Sequence, residues 1–482
     1  YPQQGTQIID KNIYGQFSED LGACIYGGLW VGPNSDIPNT KGYRNDVLKA
    51  LKDLQVPVLR WPGGCFADVY HWMDGIGPYE KRPKPVNNNY GETIEGNSFG
   101  THEFLDLCEM IGCDPYISIN VGSGTVEEMA KWIEYMTADG ESQMAALRRK
   151  NGREKPWKVK FIGVGNESWG CGGNMRPEFY SDIYKRYSTY CREYNGNWLF
   201  KVASGYDTDW TEVLMKNIGT RMNGLSIHYY TVGDWNHKGS ATSFSNEDYY
   251  WTLGKCLEIE STIQRHIDIM NKYDPKKQVA LIVDEWGTWW DEEPSSIRGQ
   301  LFQQNTMRDA FVAAVTLNVF NKYTDRIKMA NIAQVINVLQ SMILTDGPKM
   351  LLTPTYHVFE MYKVHQNATY LPLDLICDKT TVRDNRKVPM LSASASRDKN
   401  GLIHITIANV DLDKSQSVSI DLQGTKITSV KGRILTSGNI TDHNTFEKPN
   451  FVKPTAFNGS KIEKGQLKIN MPSKSIIVLE VK

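Results

Sequence analysis

Between residues 15 and 350 the chain alternates strand-like with helix-like segments, and this alternation limits the possible folds more than any other feature. Strand-like runs are read around Gln16-Phe17 and at Val56–Trp61, Tyr116–Val121, Val159–Gly165, Phe200–Ser204, Leu225–His228, Val279–Val283 and Ala330–Ile336. Helical periods separate most of them. In Tyr43–Leu54, for example, Val47, Leu48, Leu51 and Leu54 share one face. Further helices are expected at Thr101–Ile111, Val126–Met136, Glu178–Tyr194, Glu212–Asn217, Leu257–Asn271 and Leu301–Asn321. Regular alternation implies a parallel sheet, and eight units over roughly 250 residues or more imply a closed (β/α)8 TIM barrel. A doubly wound open sheet is the alternative, but no GxGxxG turn follows the first strand.

After about residue 353 the period changes. Leu402–Ala408, Ser417–Ile420 and Ser475–Leu479 alternate or run apolar, and turn residues such as Asp398-Lys399-Asn400-Gly401 separate them. The expected division is a catalytic barrel over 15–352 and a C-terminal antiparallel β-sandwich, jelly-roll-like, over 353–482. Residues 1–14 are expected to lend the sandwich a strand. A chain of 482 residues is in any case too long for one ordinary core.

The balance of 54 basic against 55 acidic residues gives no electrostatic reason to expect nucleic acid or an anionic membrane as partner. No apolar run reaches the roughly 18 residues of a membrane span. The eight cysteines lack paired CxxC spacing and the nine histidines lack HExxH spacing, so neither a metal nor another cofactor is expected. Cys65 and Cys171 each follow a motif of interest; two free thiols are expected there in preference to a bridge. The chain opens at Tyr1 with no signal peptide, so a processed chain is expected. If an export signal was removed upstream, the location is periplasmic or secreted; otherwise it is cytoplasmic.

Two apolar runs end in glutamates. Val159–Gly165 leads into Asn166-Glu167, and Val279–Val283 leads into Asp284-Glu285-Trp286-Gly287. In a parallel barrel, strand C-termini point into the active site. Two carboxyls delivered to one pocket are the minimal equipment for cleaving a glycosidic bond: one protonates the leaving oxygen, the other attacks the anomeric carbon or activates water. The 13 Trp and 24 Tyr fit either a large core or platforms for sugar rings.

Six segments, in order, resemble the α-L-arabinofuranosidases of glycoside hydrolase family 51. They are Gly15-Gln16-Phe17-Ser18-Glu19, Arg60-Trp61-Pro62-Gly63-Gly64, Gly165-Asn166-Glu167, Ser226-Ile227-His228-Tyr229-Tyr230, Asp284-Glu285-Trp286-Gly287, and Asn331-Ile332-Ala333-Gln334 with Asn337-Val338. The resemblance implies Glu167 as general acid/base and Glu285 as nucleophile of a retaining mechanism, with carboxyls only about 5–5.5 Å apart. Glu167 must then hold a proton and Glu285 must be ionised. Arg60 is the candidate cation; its structural alternative is an ion pair with Glu19 or Asp68. Glu19, Asn166 and Gln334 would bond sugar hydroxyls, His228 and Tyr230 would line the pocket with Tyr230 on Glu285, and Trp289 would wall the sugar. Cys65 stands where many members carry a sugar-contacting Asn, and cysteine is a poor donor.

The expected activity is therefore exo-acting release of arabinofuranose from arabinoxylan, arabinan or their oligosaccharides, with retention. Its rivals are an endo-β-glucanase or β-xylosidase on the same scaffold, and a carbohydrate-binding protein without catalysis. A closed pocket favours exo action, and the loops Gly233–Tyr250 and Gly75–Asn97 decide its shape. Oligomeric state is left open; the resemblance allows a homo-oligomer.

Overall fold

The computed structural model describes residues 1–482. Eight parallel strands close a barrel in sequence order: β1 (Gly15–Phe17), β2 (Val58–Trp61), β3 (Asp114–Ile119), β4 (Phe161–Val164), β5 (Phe200–Ala203), β6 (Gly224–Thr231), β7 (Ala280–Thr288) and β8 (Ile327–Ala333). All eight runs read from the sequence are present. Side chains from β2, β3, β4, β7 and β8, including Val58, Tyr116, Phe161, Ile282 and Met329, fill the barrel interior. The floor is therefore solid, and only the C-terminal mouth is free to bind.

Helices α1 (Asn45–Leu54), α2 (Thr101–Ile111), α3 (Val126–Thr137), α4 (Gln143–Lys150), α5 (Pro177–Thr189), α6 (Thr208–Asn217), α7 (Asn246–Tyr273) and α8 (Met307–Lys322) surround the barrel. In α1 the predicted face of Val47, Leu48, Leu51 and Leu54 is buried, and Gln55 ends the helix in the left-handed region. Truncating Leu51 to Ala there costs about 2–5 kcal/mol of buried packing. Helix α4 is short and basic with little apolar period, and goes unpredicted; Ser142 caps it through Ala145 N–H. Helix α7 begins well before the predicted Leu257, because Ser245 and Asp248 form a reciprocal cap. Helix α8 begins later than the predicted Leu301. Its cap is Thr306 with Asp309, while Gln303 and Asn305 use their side chains on Trp290 N–H and the Leu339 carbonyl.

Every residue of α8 from Met307 to Asn321 is buried, because the helix lies between the barrel and the C-terminal sheet. Asn318 Nδ2 donates to Ser392 Oγ (3.0 Å) and Asn321 Nδ2 to Ser394 Oγ (3.2 Å), so its polar residues bond across that junction. The C-terminal part holds a six-stranded antiparallel sheet that includes Leu391–Arg397, Ile403–Asn409 and Ser475–Val481. A three-stranded sheet includes Gln416–Ile420 and Gln466–Met471. Leu371, Ile405, Leu467 and Leu479 belong to their shared core. Residues 1–14 meet the larger sheet at an isolated bridge, Ile8 to Thr369, and through Arg397, which donates to the Pro2 carbonyl; they also form two 3-10 turns. No helix is long and apolar enough to cross a membrane.

Candidate active site

The mouth of the barrel is built from the ends of β1, β2, β4, β6, β7 and β8. After β2 the chain makes Pro62-Gly63-Gly64, and its backbone runs close under two carboxylates. A Cβ on Gly63 would stand 2.6 Å from Glu19 Oε2, and one on Gly64 would stand 2.6 Å from Glu285 Oε1. Only glycine permits that approach, which lets Gly64 N–H donate to Glu19 Oε2 at 2.6 Å.

A bulge sets the two acids of β7. Ser226 pairs with Ile282 and His228 with Glu285, so Val283 and Asp284 oppose the single residue Ile227. The break in alternation lets both Asp284 and Glu285 reach the site. Strand β7 itself runs on to Thr288, so Glu285 lies within the strand and not beyond it.

Arg60 joins the elements. Its Nη1 donates to Glu285 Oε1 (3.0 Å) and to the Asp284 carbonyl (3.1 Å), and its Nη2 donates to Asn166 Oδ1 (2.7 Å). The alternative ion pair with Glu19 or Asp68 is not the one formed. Glu19 accepts from Gly64 N–H, Phe66 N–H and Gln334 Nε2, and Asp68 accepts from Val121 and Gly122 N–H. Tyr230 Oη donates to Glu285 Oε2 at 2.6 Å, as expected from the sequence.

Asp284 is the residue that sequence reasoning passed over. Tyr116 Oη (2.8 Å) and Ser226 Oγ (2.6 Å) donate to it, and His228 Nε2 stands 2.8 Å away. Burial would raise its carboxyl, but the charges of Arg60 and His228 outweigh that and hold it below the usual carboxylate range. Burial likewise disfavours the charged form of His228, yet Glu285 and Asp284 hold its proton affinity well above the ordinary histidine value. Glu19 is the opposite case: burial, then the charge of Glu285, pushes its carboxyl up to about 7.

Glu167 follows β4 with φ of 39°, in the left-handed region that a non-glycine residue enters at a cost of roughly 1–3 kcal/mol. Gly170 and Gly172 N–H both donate to its carbonyl, folding the next loop back on it (2.7 and 3.1 Å). That fold brings Cys171 to Cys65 with Cα atoms 5.6 Å apart, and the two are bonded. The expectation of free thiols is therefore corrected: loop closure supplied a separation within bridging range that sequence spacing does not reveal. Both sulfurs face the carboxyl of Glu167, at 3.8 Å (Cys65) and 3.7 Å (Cys171) from Oε1.

The two glutamates meet. Glu167, His228 and Glu285 each place one carboxylate oxygen or ring nitrogen within 4.8 Å of the others. These atoms, which are also metal-capable, are engaged with one another and with Arg60 and Tyr230. Such spacing suits attack by one carboxylate while the other protonates, and leaves too little room for the intervening water of an inverting enzyme, which needs roughly 6.5–9.5 Å.

Above them lies a cavity of about 660 Å3. Glu19, Cys65, His228, Tyr230, Trp289 and Gln334 of the predicted set line it. Asn166 and Arg60 lie buried beneath, bonded to each other. Asn89 and Tyr90 enter from the Gly75–Asn97 loop, and Trp235 enters from the Gly233–Tyr250 loop. Tyr90, Trp235, Trp169 and Tyr206 are further wall residues. They sit in loops, where no period marks them.

Comparison with known proteins places this geometry among relatives. Residues 50–246 match the family model described as alpha-L-arabinofuranosidase 1 domain, and residues 284–475 match the alpha-L-arabinofuranosidase C-terminal domain. The chain is 67% identical to an intracellular exo-alpha-L-arabinofuranosidase of Bacteroides ovatus, over 100% of this chain and 94% of that one. It superposes on the GH51 arabinofuranosidase of Xanthomonas axonopodis pv. citri with a TM-score of 0.98 at 48% identity, covering 100% and 98% of the two chains. The alpha-L-arabinofuranosidase of Thermotoga maritima, solved as its arabinose complex, gives a TM-score of 0.88 at 30% identity, with coverage of 100% and 98%.

Proposed function

The chain belongs to the α-L-arabinofuranosidases of glycoside hydrolase family 51, and on that premise we propose that it removes terminal arabinofuranose by double displacement, with Glu285 as nucleophile and Glu167 as acid/base. The observation that carries this assignment is the approach of the two carboxylates to within 4.8 Å, with Arg60 and Tyr230 both bonded to Glu285.

The environments divide the labour. Arg60 and Tyr230 each bond one oxygen of Glu285 and fix its carboxylate in place. It attacks the anomeric carbon, and the covalent glycosyl-enzyme forms as the bond to the leaving oxygen breaks. Glu167 stands at the edge of the cavity and hands its proton to that oxygen. With the leaving group gone, Glu167 takes a proton from water, which then opens the glycosyl-enzyme. Glu19, Asn166 and Gln334 hold the ring hydroxyls from the floor, Cys65 borders them, and Trp289 closes the side. Tyr230 and Trp289 meet edge to face at 5.0 Å, which fixes the indole.

The lining of the cavity supports exo action. Loops from two sides bring Tyr90 and Trp235 to the wall of the cavity, which suits entry of a chain end or side chain. The substrates are arabinofuranosyl side chains of arabinoxylan or arabinan and their oligosaccharides. A panel of 4-nitrophenyl glycosides tests the assignment. Release from the α-L-arabinofuranoside should exceed that from the β-xyloside and β-glucoside by orders of magnitude; no release from the arabinofuranoside would overturn it.

A further inference from the structure

A second cavity, of about 130 Å3, lies beside the loop that carries Trp235. Trp235 and Trp289 border the active site, while their neighbours Asp234 and Trp290 border this smaller space. Arg308, in the first turn of α8, also lines it. Arg308 is 2% exposed, and its guanidinium is held between two rings, with Cζ 3.6 Å from the Phe244 centroid and 3.5 Å from that of Trp290. Nη2 donates to the Ser240 and Ala241 carbonyls (3.0 and 3.5 Å), and Nε is buried without a partner. Other buried guanidiniums are better served. Arg60 and Arg326 each hold a carboxylate, and Arg148 donates to four carbonyls. The adjacent Asp309 does not serve Arg308: its oxygens accept from Thr288, Trp290 and Thr306 N–H. Burial accordingly pushes the proton affinity of Arg308 down to about 10, against the partial support of Asp309 and Asp248.

A buried cation with donors left over is costly unless an anion meets it. We propose that this cavity binds a small oxyanion, a carboxylate or a phosphate, with Arg308 as its principal ligand. The rest of the lining agrees. Lys238 and Arg383 add positive charge. The two acids present are already engaged: Asp234 accepts from Asn236 N–H with His237 Nδ1 at 3.4 Å, and Asp248 accepts from Ser245 N–H and Arg383 Nη2. A bound anion touches α8 on one side and the Gly233–Tyr250 loop on the other, so it ties that loop to the barrel. The site lies outside the hydrolytic assignment and does not rest on it.

The test is calorimetric titration of the full chain with inorganic phosphate and, separately, with glucuronate, chloride keeping the ionic strength constant. The wild type should bind at least one of them at a single site with Kd of about 1 mM or tighter. Arg308→Met keeps bulk between the two rings without the charge and should bind about tenfold or more weakly; Arg308→Lys, which keeps the charge and loses the fork, should fall between. Binding of phosphate alone would mark a free anion as the ligand, and binding of glucuronate alone the acid group of a sugar; either supports the site. If Arg308→Met fails to fold, a wild-type crystal soaked in selenate decides through its anomalous scattering, which should place the ion within hydrogen-bond reach of the guanidinium. No saturable binding of either anion, equal binding by Arg308→Met, or a cavity without selenate would overturn the proposal.

Discussion

His228 Nδ1 stands 3.2 Å from Glu167 Oε2, and the same nitrogen is 3.6 Å from Glu285 Oε2. One imidazole ring thus lies between the two carboxyls assigned to chemistry, while its other nitrogen stands 2.8 Å from Asp284.

This placement makes His228 a positioning residue for both acids. Its change to Asn removes the ring that stands between the two carboxyls. We expect kcat/KM on 4-nitrophenyl α-L-arabinofuranoside to fall roughly 10–100-fold with the fold retained by circular dichroism. A loss under threefold would mean that the contact is incidental.

Glu19 links the site to stability. Its carboxyl is pushed from an ordinary 4.5 up to about 7 by burial and then by Glu285. Between those values the folded chain keeps a proton that the unfolded chain releases, so stability is lost as pH rises through the window. Glu19→Gln has no such proton. The variant's stability relative to wild type should therefore rise between pH 4.5 and 8, by up to about 3 kcal/mol. Denaturant titrations across that range check it; a constant difference would contradict it.

The Cys65–Cys171 bridge closes a loop of 106 residues beside Glu167. Replacing both cysteines by serine should lower unfolding stability by about 2–4 kcal/mol. It should also slow turnover several-fold, since both sulfurs face the acid/base carboxyl. Unchanged melting and unchanged rate together would show that the bridge is idle.

Much of this was legible in the sequence because barrel strands are short apolar runs, and strand ends are where catalytic residues must stand. Glu167 and Glu285 are found by that rule, whereas Glu19 and Gln334 were implied by the resemblance to family 51. Asp284 was hidden by its neighbour: strict alternation allows only one of two adjacent residues to face inward, and the bulge opposite Ile227 is invisible in composition. The disulfide and the wall residues Tyr90, Trp235, Trp169 and Tyr206 depend on how loops fold back, and loops carry no period. Helix α8 reads as apolar all round because it is covered on both sides, so its burial was apparent but its start at Met307 was not.

Division of labour between the two glutamates gives a graded expectation. Glu167→Ala should slow hydrolysis of natural oligosaccharides by roughly 10²–10⁴-fold and spare release of a good leaving group such as 4-nitrophenol, which needs little protonation. A uniform loss across leaving groups would contradict its part as acid.

The most direct measurement traps the intermediate. In the Glu167→Ala variant mixed with 4-nitrophenyl α-L-arabinofuranoside, the first step proceeds and the second stalls. Intact-protein mass spectrometry should show the gain of one pentosyl residue, and peptide mapping should place it on Glu285. A label on any other residue, or turnover with no covalent adduct and an inverted anomer as first product, would contradict the account.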